Sequence, residues 1–333
     1  MLNILIDGTN VSLELLESQK YKNMEVIPVR INCNGNKDYL TLKRGIKAGF
    51  VEITECEVST VGTVLAKNNS NVPLILIDGD EILGAKQNRI MNRSLIIPPR
   101  ASMKVSVSCT EQGRWHYERA NGISFDGTDE LIHFDCSEEA ADFSTRRAKS
   151  ADLFENRSCQ STVWNSINDL ERRTSFRSGT SALHDNFLNH RPRLNEYLNN
   201  FRLEYGQSGA IFIINGQIKG MELFANPSIY QDYHEKIFRS YIMEAITDYN
   251  PQYHCVDDVG EFLREISHSE FRTSINEGIG RHLKFANHYG YGAALLDGNS
   301  LVHINYFNNG KSRSSRRKTG RRYGNFRDFV DDI

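Results

Sequence analysis

Two short strings carry more polar chemistry than a fold by itself requires. In Glu81-Ile82-Leu83-Gly84-Ala85-Lys86-Gln87-Asn88-Arg89 the chain leaves a hydrophobic run and continues with polar residues of both charges. A strand buried on one side should alternate. By a period of two, Glu81, Gln87 and Arg89 fall on one face and Lys86 and Asn88 on the other, so some of these groups need partners or a ligand. The plainer reading is a solvated edge on which Lys86 discourages pairing with other chains. The second string, Ser108-Cys109-Thr110-Glu111-Gln112-Gly113-Arg114-Trp115, follows the alternating residues Val105 and Val107. Gly113 permits a turn that presents its neighbours together. Arg114 can fork onto a phosphate or carboxylate, Gln112 can read an amide or hydroxyl, Glu111 can accept from ribose hydroxyls and Trp115 can stack on a base. That set suits a nucleotide-like ligand, against the plainer alternative of a core Trp beside a surface Arg and Glu.

For an enzyme, Glu81 and Glu111 are the carboxylate pair to consider. Cleaving a glycosidic or phosphate-linked bond needs one group to deliver a proton and another to activate or steady the attacking species. Lys86 can orient a phosphate as readily as act as a base. Cys109, closing an apolar strand, reads first as a buried small hydrophobe and only second as a nucleophile. No metal site is expected: none of the ten histidines, His184, His190, His282, His288 and His303 among them, has the paired spacing with a nearby Glu that zinc hydrolases use. There is no Walker loop and no strand-associated G-x-G-x-x-G.

The elements that must hold these strings read as strands first and helices second. From Phe50 to Cys109, β-branched and apolar runs broken by Asn68-Asn69-Ser70-Asn71, Asp78-Gly79 and Pro98-Pro99 predict a meander of strands. Asp78-Gly79, Asn215-Gly216 and Asp297-Gly298 each follow an apolar run and predict hairpins, because a tight two-residue turn needs φ > 0. Their recurrence raises the idea of a duplicated β unit. Apolar residues at three- and four-residue spacings predict helices over Phe143 to Thr174, Ala182 to Phe201, Tyr230 to Tyr249 and Val259 to Ile266, the last introduced by Asp257 and Asp258 as N-terminal caps. Their apolar stripes need a sheet to cover. The expected fold class is therefore α+β, with an antiparallel β-rich core, repeated Asx-Gly hairpins and helices packed against the sheets.

A chain of 333 residues, 39% hydrophobic, buries a core large enough that neither disulfides nor metal are needed. The six cysteines (Cys33, Cys56, Cys109, Cys136, Cys159, Cys255) show no C-x-x-C pair and are expected to be free thiols. No secretory leader and no apolar run of membrane-spanning length is visible, so a cytoplasmic protein without membrane contact is expected. Lys311 to Arg322 holds seven cations and no acid, which leaves the rest near −9 by subtraction from the total of −2. Such a run reads as a solvated, disordered tail, and weak nucleic-acid contact is its sharper alternative.

The stretch Pro73 to Trp115, with PLILIDGDEILGAKQNRIMNRSLIIPP and VSVSCTEQGRW, resembles the ARG and rhodanese-phosphatase-superfamily-associated domain family. Weaker similarity runs through Gln160 to Trp164, Gly209 to Phe224, Ser240-Tyr241 and Gly292 to Phe307. Asp80 and Thr110 stand where the family pattern has Glu and Val. The resemblance implies a 24–310 family-like α+β domain between a 1–23 extension and a 311–333 basic tail. It also implies a role beside ADP-ribosylglycohydrolases in handling NAD or ADP-ribose derivatives, with the matching strings marking Glu81, Lys86, Gln87, Asn88, Arg89, Cys109, Glu111, Gln112, Arg114 and Trp115, and less securely Gln160 and Trp164. Three functions then compete: a hydrolase or transferase on such a nucleotide, a module that sequesters the nucleotide unchanged, and a protein-protein interaction module. Converging polar groups beside an aromatic wall favour a small-molecule site over pure interaction.

Overall fold

A computed structural model describes residues 2–32, 37–114, 133–157, 160–250, 252, 257–274 and 277–310, apart from the side chains of 57–59. The chain opens with strands β1 (Leu2–Ile6), β2 (Thr9–Leu15), β3 (Gln19–Tyr21), β4 (Met24–Asn32) and β5 (Leu40–Thr41), then a short helix α1 (Leu42–Lys47). A run of strands follows: β6 (Val51–Thr60), β7 (Thr63–Asn68), β8 (Leu74–Leu76), β9 (Asp80–Gly84), β10 (Arg89–Met91), β11 (Leu95–Ile97), β12 (Ala101–Cys109) and β13 (Phe134–Ala140). Helices α2 (Phe143–Phe154), α3 (Gln160–Thr174) and α4 (Leu183–Leu198) lead into β14 (Gly209–Ile214) and β15 (Gln217–Phe224). The chain continues through α5 (Pro227–Thr247), α6 (Val259–Ser267), β16 (Glu270–Thr273), β17 (Arg281–Asn287), β18 (Gly290–Asp297) and β19 (Ser300–Asn308). The protein is thus mixed α+β with antiparallel sheets, as its patterning implies.

Three sheets divide the work. The largest has the order β1-β2-β4-β14-β15-β19-β18-β17-β16, with β3 also on β4; a second runs β13-β9-β10-β12-β7-β6; a third, β11-β8-β5, contains the parallel pair β5·β8. Strand β14 shows how the large sheet is covered on both faces. Ala210, Phe212 and Ile214 enter one core with α3, α4 and α5, while Ile211 and Ile213 enter another with α6. Because successive side chains point to opposite faces, a strand covered twice must be apolar throughout, and Gly209–Ile214 is. A third core, with Val64, Ile82, Met91, Val105 and Phe134, lies inside the smaller sheets.

Helix boundaries follow local chemistry. Asp142 accepts from the Thr145 amide and starts α2, Asn226 accepts from the Ser228 amide and starts α5 ahead of Pro227, and Asp258 accepts from the Glu261 amide and starts α6. Asp257 instead takes the amide of Ile218. The predicted 143–174 helix is two helices, α2 and α3.

The Asx-Gly turns behave differently from one another. Asn215-Gly216 closes the β14·β15 hairpin with φ of 52° and 73°. In the β18·β19 hairpin Asp297 pairs with Ser300, so Gly298 occupies the first central position at φ 64°. Asp7-Gly8 closes β1·β2 as Asn215-Gly216 closes β14·β15, with φ of 45° and 83°. Asp78-Gly79 is not a hairpin. β8 pairs with β11 and β5, whereas β9 pairs with β10 and β13, so this turn carries the chain from one sheet to another. The first and third units therefore have unlike strand pairings, which removes the basis for a duplicated β unit. The 50–109 strands are likewise not a simple meander, since β7 neighbours β12.

Residues 2–15, set aside in the sequence reading as part of an extension, form the edge of the large sheet. No described helix is long and apolar enough to cross a membrane. Cys56, Cys109 and Cys136 are free thiols, and Cys33, Cys159 and Cys255 lie outside the described residues or side chains. The tail from Lys311 onward also lies outside them.

Candidate functional site

The first polar string is not a continuous strand. It turns back at residues 85–88, so that Arg89 pairs with Ile82 and Ile90 with Glu81, and its two-residue alternation stops at Gly84. Gly84 at φ 117° and Ala85 at φ 43° make that reversal. The second string lies directly against it. Gln87 Nε2 donates to the Glu111 carbonyl (2.9 Å), the Asn88 amide to Glu111 Oε2 (3.3 Å) and the Thr110 amide to the Asn88 carbonyl (2.9 Å). Arg114 completes the clasp, donating to the Ala85 carbonyl (2.8 Å) and Asn88 Oδ1 (3.1 Å) and pairing with Glu111 Oε2 at 2.6 Å. Gly113 is required here by proximity rather than by dihedral angle: a Cβ would stand 2.9 Å from Thr180 Cα.

The two strings thus come together, but much of their polarity is directed at each other. Arg114 is buried, and a buried guanidinium bonded to a carbonyl, an amide and a carboxylate is a brace. Arg89 goes further afield. Its Nη2 bonds both Glu55 oxygens on β6 (2.8 and 3.1 Å) and its Nη1 donates to the Thr60 and Val61 carbonyls. Lys86 and Asn88 are half-buried, Gln112 is exposed, and Trp115 lies outside the described residues. We expect Arg114→Lys to lower unfolding free energy by about 1–3 kcal/mol, because a point charge cannot serve three differently placed acceptors and leaves a buried one unpaired. Gln112→Ala should stay within about 0.5 kcal/mol of the parent. Urea denaturation of the two variants side by side checks the contrast.

Cys109 is packed under the clasp. Its backbone is doubly bonded by the Gln160 side chain at the start of α3, with the amide donating to Oε1 (2.9 Å) and Nε2 donating to the carbonyl (3.1 Å). The half-buried Trp164, one turn along that helix, stands near the thiol. Burial pushes the thiol upward in pKa, against the pull of the Glu111 backbone and Arg89, which disfavours the thiolate a nucleophile needs. Gln160 and Trp164 therefore act here as supports for the second string.

Glu81 and Glu111 have different partners. One residue earlier, Asp80 anchors β9 to α5 by pairing with Lys236 Nζ (2.5 Å) and accepting from the Tyr233 hydroxyl (3.2 Å). Glu81 faces a different set: its Oε2 accepts from Ser137 Oγ (2.9 Å) and lies 3.2 Å from His184 Nδ1, and its Oε1 is 3.4 Å from Thr110 Oγ1. The contact is a hydrogen bond only if His184 Nδ1 carries the proton. Burial alone would lower the His184 pKa, but the bond to Glu81 and the charges of Glu81 and Glu139 outweigh it and raise the group above its usual 6.5.

Glu139, two residues past Ser137 on β13, is also buried and its pKa is raised. Burial pushes it up, Arg239 pulls it down and the nearby Glu81 pushes it up again. Its Oε1 is 3.7 Å from Arg239 Nη1 while Oε2 has no hydrogen-bond partner. The result is two carboxyl groups and an imidazole in mutual influence, with Glu81 enclosed at 1% side-chain exposure and His184 at 16%. His184 is therefore the member that meets solution, and Glu81 sets its tautomer and charge.

The other carboxylate of the expected pair, Glu111, is engaged by Arg114 and by Thr180 Oγ1 (3.0 Å). Thr180 comes from the α3–α4 connection, which pairs onto the second string through Glu111 and Ala182, and His184 follows in the first turn of α4. Sequence reasoning did not reach Ser137, Glu139, Thr180 or His184 as partners, because they lie between 56 (Ser137 to Glu81) and 103 (His184 to Glu81) positions from the residues they serve and no local spacing marks them.

No curated protein and no solved structure matches the chain. The family model of the ARG and Rhodanese-Phosphatase-superfamily-associated Protein domain matches residues 12–307, from within β2 to the end of β19. That range takes in the clasp, the Glu81 cluster and nearly all of the large sheet, and the chain belongs to this domain family.

Proposed function

We propose that this is a cytoplasmic protein that binds or processes an NAD- or ADP-ribose-derived nucleotide at the Glu81–His184 cluster and the adjoining clasp. The observation that carries the reading is the 3.2 Å contact of His184 Nδ1 with an enclosed carboxylate. Such a carboxylate fixes the imidazole tautomer and supports its cationic form, which is what a proton donor near neutral pH requires. In hydrolysis of a glycosidic or phosphate-linked bond, the His184 proton passes to the departing atom as that bond breaks. Water supplies the new bond to the carbon or phosphorus and gives its proton to a carboxylate. Glu139 or Glu81 stands nearer to this role than Glu111, whose oxygens already bind Arg114 and Thr180. The family description, which couples the domain to ARG and rhodanese-phosphatase proteins, supports a nucleotide of this class.

Thermal shift and product analysis against NAD, ADP-ribose and their phosphorylated and cyclic derivatives test the reading. A ligand at about a hundredfold its Kd should stabilise the fold by roughly 2.7 kcal/mol. Conversion of that ligand identifies an enzyme, and stabilisation without conversion identifies a sequestering module. If none of the set either stabilises the protein or is altered by it, the nucleotide reading fails and an interaction module takes its place.

A further inference from the structure

The surroundings of His184 are unbalanced in charge. Three carboxylates act on its imidazole from three elements: Glu81 on β9, Glu139 on β13 and Asp185 beside it in the first turn of α4. Glu81 is met by hydroxyls and by His184 itself, with Ser137 Oγ at 2.9 Å and Thr110 Oγ1 at 3.4 Å. Asp185 accepts from Ser178 Oγ at 2.6 Å. Glu139 faces a guanidinium, but Arg239 Nη1 stays 3.7 Å from its Oε1, and its Oε2, on a side chain 1% exposed, has no hydrogen-bond partner. The exposed Arg191 adds a further pull on Glu139. Two guanidiniums of the adjoining clasp are answered elsewhere, Arg114 by Glu111 and Arg89 by Glu55. A positive charge at His184 is therefore favoured and a negative one opposed.

We propose that the bond opened at this site is glycosidic, the C1′–O bond of an ADP-ribosyl group attached through oxygen, and not the pyrophosphate of the same nucleotide. The inference rests on the nucleotide reading above and narrows it.

The two bonds ask for opposite charge. As a glycosidic bond breaks, the sugar becomes oxocarbenium-like and carries positive charge at C1′. The electron pair leaves on the departing oxygen, which takes the His184 proton. A water oxygen forms the new bond to C1′ and gives its proton to a carboxylate of the cluster. Positive charge passes from imidazolium to sugar in this step, so the carboxylates that stabilise the first also stabilise the second. A phosphoryl group in transfer instead spreads negative charge over its oxygens and needs cations aimed at it. Enclosed carboxylates beside the proton donor work against that. The leaving group points the same way: nicotinamide departs from NAD as a neutral molecule, whereas an alkoxide needs a proton as it leaves.

The test is one substrate that contains both bonds, a serine peptide carrying ADP-ribose through its hydroxyl, incubated with the full chain and followed by mass spectrometry. Free peptide and ADP-ribose are the expected products. AMP and a phosphoribosylated peptide overturn the inference and leave the nucleotide reading standing. Binding decides where there is no turnover. An ADP-linked pyrrolidine, whose protonated ring amine mimics the charge at C1′, should bind at least about tenfold more tightly than ADP-ribose. Glu139→Gln should shrink that preference to about threefold or less, with ADP-ribose affinity within about twofold of the parent, because only the charged ligand feels the lost carboxylate. If Glu139→Gln fails to fold, Asp185→Asn takes its place with the same expectation. Equal affinity for the two ligands in the parent, or an unchanged preference in the folded variant, overturns the inference alone. If neither ligand binds, the nucleotide reading fails and this inference fails with it.

Discussion

Replacing Arg146 by Met is expected to lower the free energy of unfolding by about 3–5 kcal/mol, a large part of what holds an ordinary domain together. Arg146, on α2, is 1% exposed and joins two acids from different sheets: Asp78 in the turn between β8 and β9, and Glu222 on β15. Its Nη2 is 3.1 Å from Asp78 Oδ2. Its Nη1 is 2.6 Å from Glu222 Oε1, an ion pair whose angles fall outside hydrogen-bond geometry. Burial works against its charge, but Glu222 and Asp78 prevail and hold the guanidinium well above its ordinary range. His303 extends the network, with Nε2 3.1 Å from Glu222 and Nδ1 2.9 Å from Ser94 Oγ.

Removing the guanidinium leaves both acids buried with fewer partners, and desolvated charge without compensation is the expensive outcome. Adding Glu222→Leu to Arg146→Met should recover part of the loss, because a carboxylate that is absent needs no partner. Urea denaturation of the two variants measures both effects. A single variant within about 1 kcal/mol of the parent would mean that the network contributes little. Gly79 belongs to the same arrangement: a Cβ there would stand 2.8 Å from Arg146 Cδ, and its φ of 76° disfavours any side chain.

The second large effect is expected at His184. Its folded-state pKa is raised above the unfolded value of 6.5. Protonation therefore favours the folded state: the stabilisation from the Glu81 contact is complete below pH 6.5 and is lost as pH rises through the folded value. His184→Asn should consequently be less stable than the parent at pH 6, with the gap narrowing as pH rises. A gap independent of pH would show that the imidazolium does not pair with Glu81. For turnover the same substitution should cost about 10²- to 10⁴-fold with any nucleotide the protein converts, the range that positioned proton transfer contributes. Glu81→Gln should act in the same direction by removing the charge that supports the imidazolium. Turnover within about threefold of the parent in both variants would take the pair out of the mechanism.

The contrast between Arg114 and His184 shows where sequence patterning stops. The GAKQN and EQGRW strings stand out because their polarity conflicts with strand alternation, and that conflict is visible in the chain alone. The fold places the two strings against each other, as a shared site would require, yet Arg114 and Glu111 bind one another and Arg89 is drawn off to Glu55. A side chain's partner depends on which strands are neighbours, and β7 next to β12 or β13 next to β9 is a non-local choice.

What the sequence by itself determined is the part of the structure governed by near neighbours. Helix starts at Asp258, the Asn215-Gly216 hairpin and the twice-covered apolar strand Gly209–Ile214 follow from capping, φ > 0 and side-chain alternation, each acting within a few residues. Tertiary structure alone decided that Asp78-Gly79 is a corner between sheets, since a turn's dihedral angles do not say which strands will pair on either side of it. It alone brought His184 to Glu81 over 103 positions of chain, and Arg146 between Asp78 and Glu222. Those contacts arise from burying three apolar cores at once, and the polar groups enclosed in the process find partners that no local spacing encodes.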